Sequence, residues 1–417
     1  MDNTIFPRDE VGRTVRERAL LLGRHSDAPD HYTRTVFTPA HVAASRQIAT
    51  WMREAGMEVR VDAIGNVRGT WPARHTANAK NVVLGSHFDS VRNGGKYDGV
   101  LGILVPIACV AELHRRGERL SHAIEVVAFS DEEGARFQTS FLSSRALIGR
   151  FESTVLGRRD AEGVSLEDAM RSVGLDPARI DDARIDPANV AAYLEVHIEQ
   201  GPVLLQEGLA LGVVTTIAGG TRHLVRVRGE AGHAGTVPMP MRHDALAAAA
   251  EMVLEVERRC SAVGLLVGTV GLLKVRDGTG NVIPGEVEFT VDIRSAKDRI
   301  REAAENDVFA AFDAIAKKRG VAVEKTKTHG VRAVPCAAWL QERLAASVER
   351  VGVQVRRLPS GAGHDAMILA EVCDVGMLFV RCGAGGVSHN PAETVTAGDC
   401  GLAVEALLDF LRRFEVA

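Results

Sequence analysis

Three short apolar runs constrain this chain more than any other feature: "NVVLGS", "HAIEVVAFS" and "AAYLEVHIEQ". Each is rich in β-branched or aromatic residues and lacks a polar face, so each reads as a strand buried on both sides. Helical spacing of apolar residues fills the chain around them, in "RTVRERALLLGR", in "PAHVAASRQIATWMREAG" and over residues 99–116. Buried strands separated by helices predict an α/β domain with a mainly parallel sheet. "MEVRVDAIGNVRGTW" reads as two extended segments about a Gly-Asn turn.

The rhythm changes near residue 211. "LALGVVTTIAG", "TRHLVRVRGEAG", "LLVGTVGLLKVRDG" and "GEVEFTVDIRS" read as strands, broken by helical stretches at 244–259 and 297–318. After "THGVRAVPCAAW" the first alternation returns. A chain of 417 residues exceeds one small core. The pattern therefore predicts a catalytic domain over 1–211 and 332–417, split by an inserted α+β domain over 212–331.

Composition excludes some partners. The formal net charge is -4, which provides no basic footprint for nucleic acid or an anionic membrane. No apolar run is long enough to span a bilayer. "MDNTIFPRDE" lacks the charged-then-apolar pattern of a leader, and the six cysteines form no CxxC pair, so a reduced, cytoplasmic protein is expected.

Candidate chemistry gathers where strands end, which is where open α/β sheets build their sites. "GSHFDSVRNGGKYDG" carries His87, Asp89 and Asp98, and "AFSDEEG" carries Asp131, Glu132 and Glu133. "LEVHIEQGP" places His197 near a strand end, and "GGVSHNPAE" places His389 in a glycine-rich loop after "VGMLFVRC". A single histidine is more often a packed or solvated residue than a ligand, and an acidic cluster usually faces water. Four such stretches at predicted strand ends outweigh that reading. His87, Asp98, Glu133, His197 and His389 form a ligand set for two divalent ions. Asp98 suits the bridging place, because each carboxylate oxygen can face one ion. Asp89 is placed to accept from the second nitrogen of His87. Glu132, beside Glu133, is the expected general base. This mixed donor set does not choose between Mn2+, Zn2+, Co2+ and Ni2+.

"GSHFDSVRNGGKYDGVLGI", "DEEGARF", "EVHIEQGPVL", "HAGTVPM", "NVIPGEVEFTVDIR", "SGAGHDAM" and "GGVSHNPAE" together resemble the hydantoinase/carbamoylase family of metal-dependent amidases, from about Arg34 to the C-terminus. The resemblance implies a metallopeptidase-like catalytic domain with an inserted lid that dimerises, and the same five ligands and base, loaded with Mn2+ or Zn2+. It implies that Arg294 binds a substrate carboxylate and that Gln200 and Asn281 hold its polar groups. It also implies that His233 stabilises a developing oxyanion; His364 is the next substrate-binding candidate. The substrate implied is a small ureido acid. "FQTSFLSSRAL", "AGHAGTVPM" and "GMLFVRC" lean toward members that act on allantoate, with N-carbamoyl-L-amino acids second. A peptidase or aminoacylase is an alternative on the same scaffold, opposed by "HIEQGP" and "DIR". A non-catalytic binding relative would need a missing ligand or base, and none is missing.

Overall fold

A computed structural model describes residues 6–75 and 79–415; the first five residues of "MDNTIFPRDE", on which the expectation of no leader rests, lie outside the described residues. The chain forms two compact units. The first comprises Met1–Thr215, Cys336–Leu358 and His364–Ala417; the second comprises Thr216–Pro335 with Pro359–Gly363. The division falls four residues beyond 212 and 331 at either border, because the strand Leu211–Ile217 runs through it.

The first unit is built on a mixed sheet. Its strand order is Glu58–Val61, Val67–Trp71, Ala123–Phe129, Asn81–His87, Val190–Ile198, Val375–Val380 and Leu211–Ile217. The four strands from Ala123–Phe129 to Val375–Val380 are mutually parallel, and the flanking pairs are antiparallel. The central strands are buried along almost their whole length, which explains their unbroken apolar runs.

Helices cover this sheet. Thr38 starts Pro39–Glu54 by accepting from the backbone N–H of His41, and Pro39 occupies the first turn, where no N–H is needed. That helix buries Ala44, Ile48, Trp51 and Met52 in the main core. Leu101–Arg115 is apolar on nearly every side and is a fully packed core helix rather than a surface one. Residues 142–189 add short helical turns around a smaller core of Val36, Phe137, Leu142, Leu166 and Met170.

In the second unit one antiparallel sheet runs from Glu286–Ser295 through Gly219–Arg228 to Ala322–Val331. The outer edge of Glu286–Ser295 carries two short strands, Leu266–Thr269 and Leu273–Arg276. Strand residues alternate: Val225, Val227, Phe289 and Val291 enter the core with Met252, Val308 and Phe312, and Arg222, Arg226, Glu288, Asp292 and Arg294 occupy the alternate positions. The two helices are Ala245–Ser261, capped by the Asp244 carboxylate, and Asp298–Arg319, ended by the left-handed Gly320. Among the described residues no helix is long and apolar enough to cross a membrane.

Candidate metal centre

Parallel strands deliver the site residues to one end of the first sheet. His87 is the last residue of Asn81–His87, and Asp131, Glu132 and Glu133 follow Ala123–Phe129. His197 is the penultimate residue of Val190–Ile198, and the His389 loop follows Val375–Val380. This is the carboxyl-end crevice that an open α/β sheet forms without further design.

Asp98 is the middle of the arrangement. Its Oδ1 lies 3.3 Å from His197 Nε2 and 3.7 Å from His87 Nε2, while its Oδ2 lies 3.2 Å from His389 Nε2. His389 Nε2 is also 3.4 Å from Glu133 Oε1. Ligand atoms of His87, Asp98 and His197 form one cluster, and those of Asp98, Glu133 and His389 form another. The two carboxylate oxygens of Asp98 therefore face two different donor sets. Oδ1 is buried and makes no hydrogen bond. An orphaned carboxylate oxygen between imidazoles fits a divalent cation, which would satisfy it.

The neighbouring residues fix these donors. Gly99 has φ +66°, and a Cβ there would lie 2.5 Å from His87 Nε2, so only glycine lets the Asp98 turn pass the imidazole. Asp89 Oδ1 is 3.4 Å from His87 Nδ1, and the same carboxylate accepts the backbone N–H groups of Glu132 at 3.0 Å and Glu133 at 3.1 Å. Asp89 thus orients the His87 ring and holds the acidic turn. His197 Nδ1 faces the Ile198 carbonyl at 2.9 Å, which orients the ring and turns its Nε2 toward Asp98 Oδ1 and the Gly99 N–H. Gln200 Nε2 donates to Asp98 Oδ2 at 3.1 Å. Gln200 and His389 both have left-handed backbones, at φ +55° and +53°. Such strain in residues other than glycine concentrates at functional sites.

The electrostatics are those of crowded carboxylates. Burial alone would raise the Asp98 carboxyl, but the imidazoles of His197, His389 and His87 beside it hold it well below the usual range. Burial, then the charge of Glu133, pushes Glu132 well above the ordinary value. Burial and Asp98 push Glu133 to about 7, and the Asp98 contact raises His389 to about 9. Gathering such groups out of water is costly unless cations offset their charge.

His364 is buried with its ring edge-on to His197, 4.5 Å between centroids, and groups with Glu195 and His197 rather than with Asp98. Three further candidates belong to the second unit. His233 and Asn281 come together on a two-strand ribbon, where Val282 pairs with His233 and Ala234 N–H donates to the Asn281 carbonyl; both side chains are exposed. Arg294 is paired: Nε donates to Asp292 Oδ1 at 2.8 Å, Nη2 to Asp292 Oδ2 at 3.3 Å and Nη1 to the Gly361 carbonyl at 3.1 Å. Three of its five N–H groups are used, leaving two.

Some participants were not singled out from the sequence. Glu195 is fully buried and accepts from Ser86 Oγ, Tyr193 Oη and the Ala366 N–H, tying two sheet strands to the turn after His364. Its signal was available: it lies two residues before His197, on the same face of an otherwise apolar strand. Glu393, in "SHNPAE", accepts from the loops on either side of Asp98 and His389.

Residues 83–413 match the model of the peptidase family M20/M25/M40. The chain is 41% identical over 397 residues to an N-carbamoyl-L-amino acid amidohydrolase of Geobacillus stearothermophilus, covering 95% of this chain and 97% of the relative. It is also 41% identical over 436 residues to an allantoate deiminase of Arabidopsis thaliana, covering 97% and 82%. A crystal structure of a hydantoinase/carbamoylase family amidase from Burkholderia multivorans superposes with a TM-score of 0.89 at 32% identity, covering 96% and 97%. The chain belongs to the M20/M25/M40 peptidase family, among its hydantoinase/carbamoylase amidases.

Proposed function

We propose that this chain, a hydrolase of carbon–nitrogen bonds outside peptides, cleaves the ureido C–N bond of allantoate. The observation that carries the reading is the split of Asp98, with Oδ1 toward His87 and His197 and Oδ2 toward His389. His87, Asp98 and His197 would hold one divalent ion, and Asp98, Glu133 and His389 a second, Mn2+ or Zn2+ being the proposed metals. Such ions, when bound, polarise a carbonyl and favour ionisation of water.

The residues of the chain then divide the work. Glu132, whose carboxyl is raised by burial, takes a proton as water adds to the ureido carbonyl carbon. It returns that proton to the substituted nitrogen as the C–N bond breaks. The departing carbamate decomposes to ammonia and carbon dioxide. Asp89 holds the Glu132 backbone still during the transfer. The two remaining N–H groups of Arg294 match a substrate carboxylate, with Asp292 fixing the guanidinium plane. Gln200 and Asn281 hold polar groups of the ureido acid, and His233 stabilises the oxyanion.

The second reading is an N-carbamoyl-L-amino acid as substrate. It is favoured by the amidohydrolase relative, whose identity equals that of the allantoate deiminase. Both substrates carry a carboxylate and a ureido group. Ammonia release from a panel of both, after loading with Mn2+ or Zn2+, decides between them. Faster turnover of allantoate supports the first reading; turnover of N-carbamoyl amino acids alone replaces it with the second. We place the enzyme in the cytoplasm as a homodimer formed through the second unit.

A further inference from the structure

Glu393 follows His389 by four residues and is 5% exposed. One oxygen, Oε1, accepts the backbone N–H of Tyr97 at 2.8 Å and of Asp98 at 3.1 Å. The other, Oε2, accepts the hydroxyl of Ser388 at 2.7 Å. Ser388 Oγ in turn accepts from Gln200 Nε2 at 3.3 Å and lies 3.4 Å from Asp98 Oδ2. One carboxylate therefore joins the two loops that carry Asp98 and His389. The sequence leaves room for it: a Cβ at Gly95 would sit 2.1 Å from the Glu393 carboxyl. The link matters most on the His389 side. That side chain is 49% exposed, whereas those of His87 and His197 are 3% and 1% exposed, so His389 has little packing to hold it.

We infer that Glu393 is a positioning residue: a brace that sets the separation of Asp98 and His389, and so selectively maintains the ion site formed by Asp98, Glu133 and His389. The inference rests on the two-ion reading above. The other site draws His87 and His197 from strand residues in the sheet and needs no such brace. Removal of an outer partner of this kind costs about 10–100-fold in metal affinity.

The test is calorimetric titration of the metal-stripped full chain with Mn2+, read with the melting temperature of the stripped protein. Wild type takes up two ions. Glu393→Ala is expected to weaken one by at least about tenfold and to leave the other within about threefold. Glu393→Gln keeps an acceptor for both backbone N–H groups and restores the affinity. Gly95→Ala, which expels the carboxylate, reproduces the selective loss. If Glu393→Ala lowers the stripped melting temperature sharply, Ser388→Ala provides the same comparison with the Tyr97 and Asp98 contacts intact, and one ion is again weakened. Two ions bound by these variants as tightly as by wild type, or both weakened equally, overturn the brace alone. A wild-type chain that binds fewer than two ions overturns the two-ion reading, and the brace with it.

Discussion

At the scale of single residues, similar side chains of the candidate centre have different surroundings. Glu132 and Glu133 are adjacent and burial raises both, but Glu133 Oε1 faces His389, whose charge partly offsets the rise. One carboxylate can serve as a ligand while the other moves protons. Glu132→Gln should keep both ions and lower kcat by about two to four orders of magnitude, the usual weight of a general acid–base. Metal content with single-turnover kinetics checks this; near-normal kcat would remove Glu132 from the proton path. Arg294 makes a second residue-level case. Lysine cannot hold Asp292 side-on and also present two N–H groups, so Arg294→Lys should raise KM and lower kcat on ureido acids. An unchanged kcat/KM would leave Arg294 only its ion pair with Asp292.

The candidate ligands were legible at this scale because four of their stretches end predicted strands and are flanked by glycine or acid. Glu393 was not, because a buried carboxylate in a loop that accepts backbone N–H groups has no periodic signature in a single sequence. Its partners are set by loops hundreds of residues apart, as the Glu393–Tyr97 contact illustrates.

Among elements, the parallel strands were readable from their unbroken apolar runs. The segment 142–189 was not, because its short turns offer too few residues to establish a period. "LLVGTVGLLKVRDG" resolves into two short strands, Leu266–Thr269 and Leu273–Arg276. Both pair only with Glu286–Ser295 among the described strands, so their outer backbone edge is unpaired. Val267 is 59% exposed and Leu272 53%, with Leu254 on Ala245–Ser261 at 63%. An apolar open edge of this kind invites a second strand. A second copy of the chain, adding edge to edge, is the proposed occupant. Val267→Lys in the full chain should shift the mass measured by light scattering from dimer to monomer. A dimer that survives the change at micromolar concentration would place the interface elsewhere.

For the whole molecule, buried neutral histidines link stability to pH. His41 and His122 are each lowered to about 4, chiefly by burial. The folded state therefore binds fewer protons than the unfolded chain between about pH 6.5 and 4. Their contribution is complete above about 6.5 and is lost as pH falls toward the folded value. At about 1.4 kcal/mol per pKa unit, each is worth up to about 3 kcal/mol. His122 packs edge-on against Phe414 at 5.0 Å. His122→Phe should preserve that contact and flatten the decline of melting temperature across this window. An unchanged slope would show that His122 does not titrate between the two states.

The division of the chain into two units was visible as a change from helix–strand alternation to strand-rich sequence. Its borders were less so, because Leu211–Ile217 continues through one of them and Pro359–Gly363 returns to the second unit from far along the chain.

The most direct measurement is anomalous diffraction at the metal edge from crystals of the full chain loaded with Mn2+ or Zn2+. The account predicts two peaks sharing Asp98, one on the Oδ1 side with His87 and His197 and one on the Oδ2 side with Glu133 and His389. A single peak, or two peaks that do not share Asp98, would contradict it.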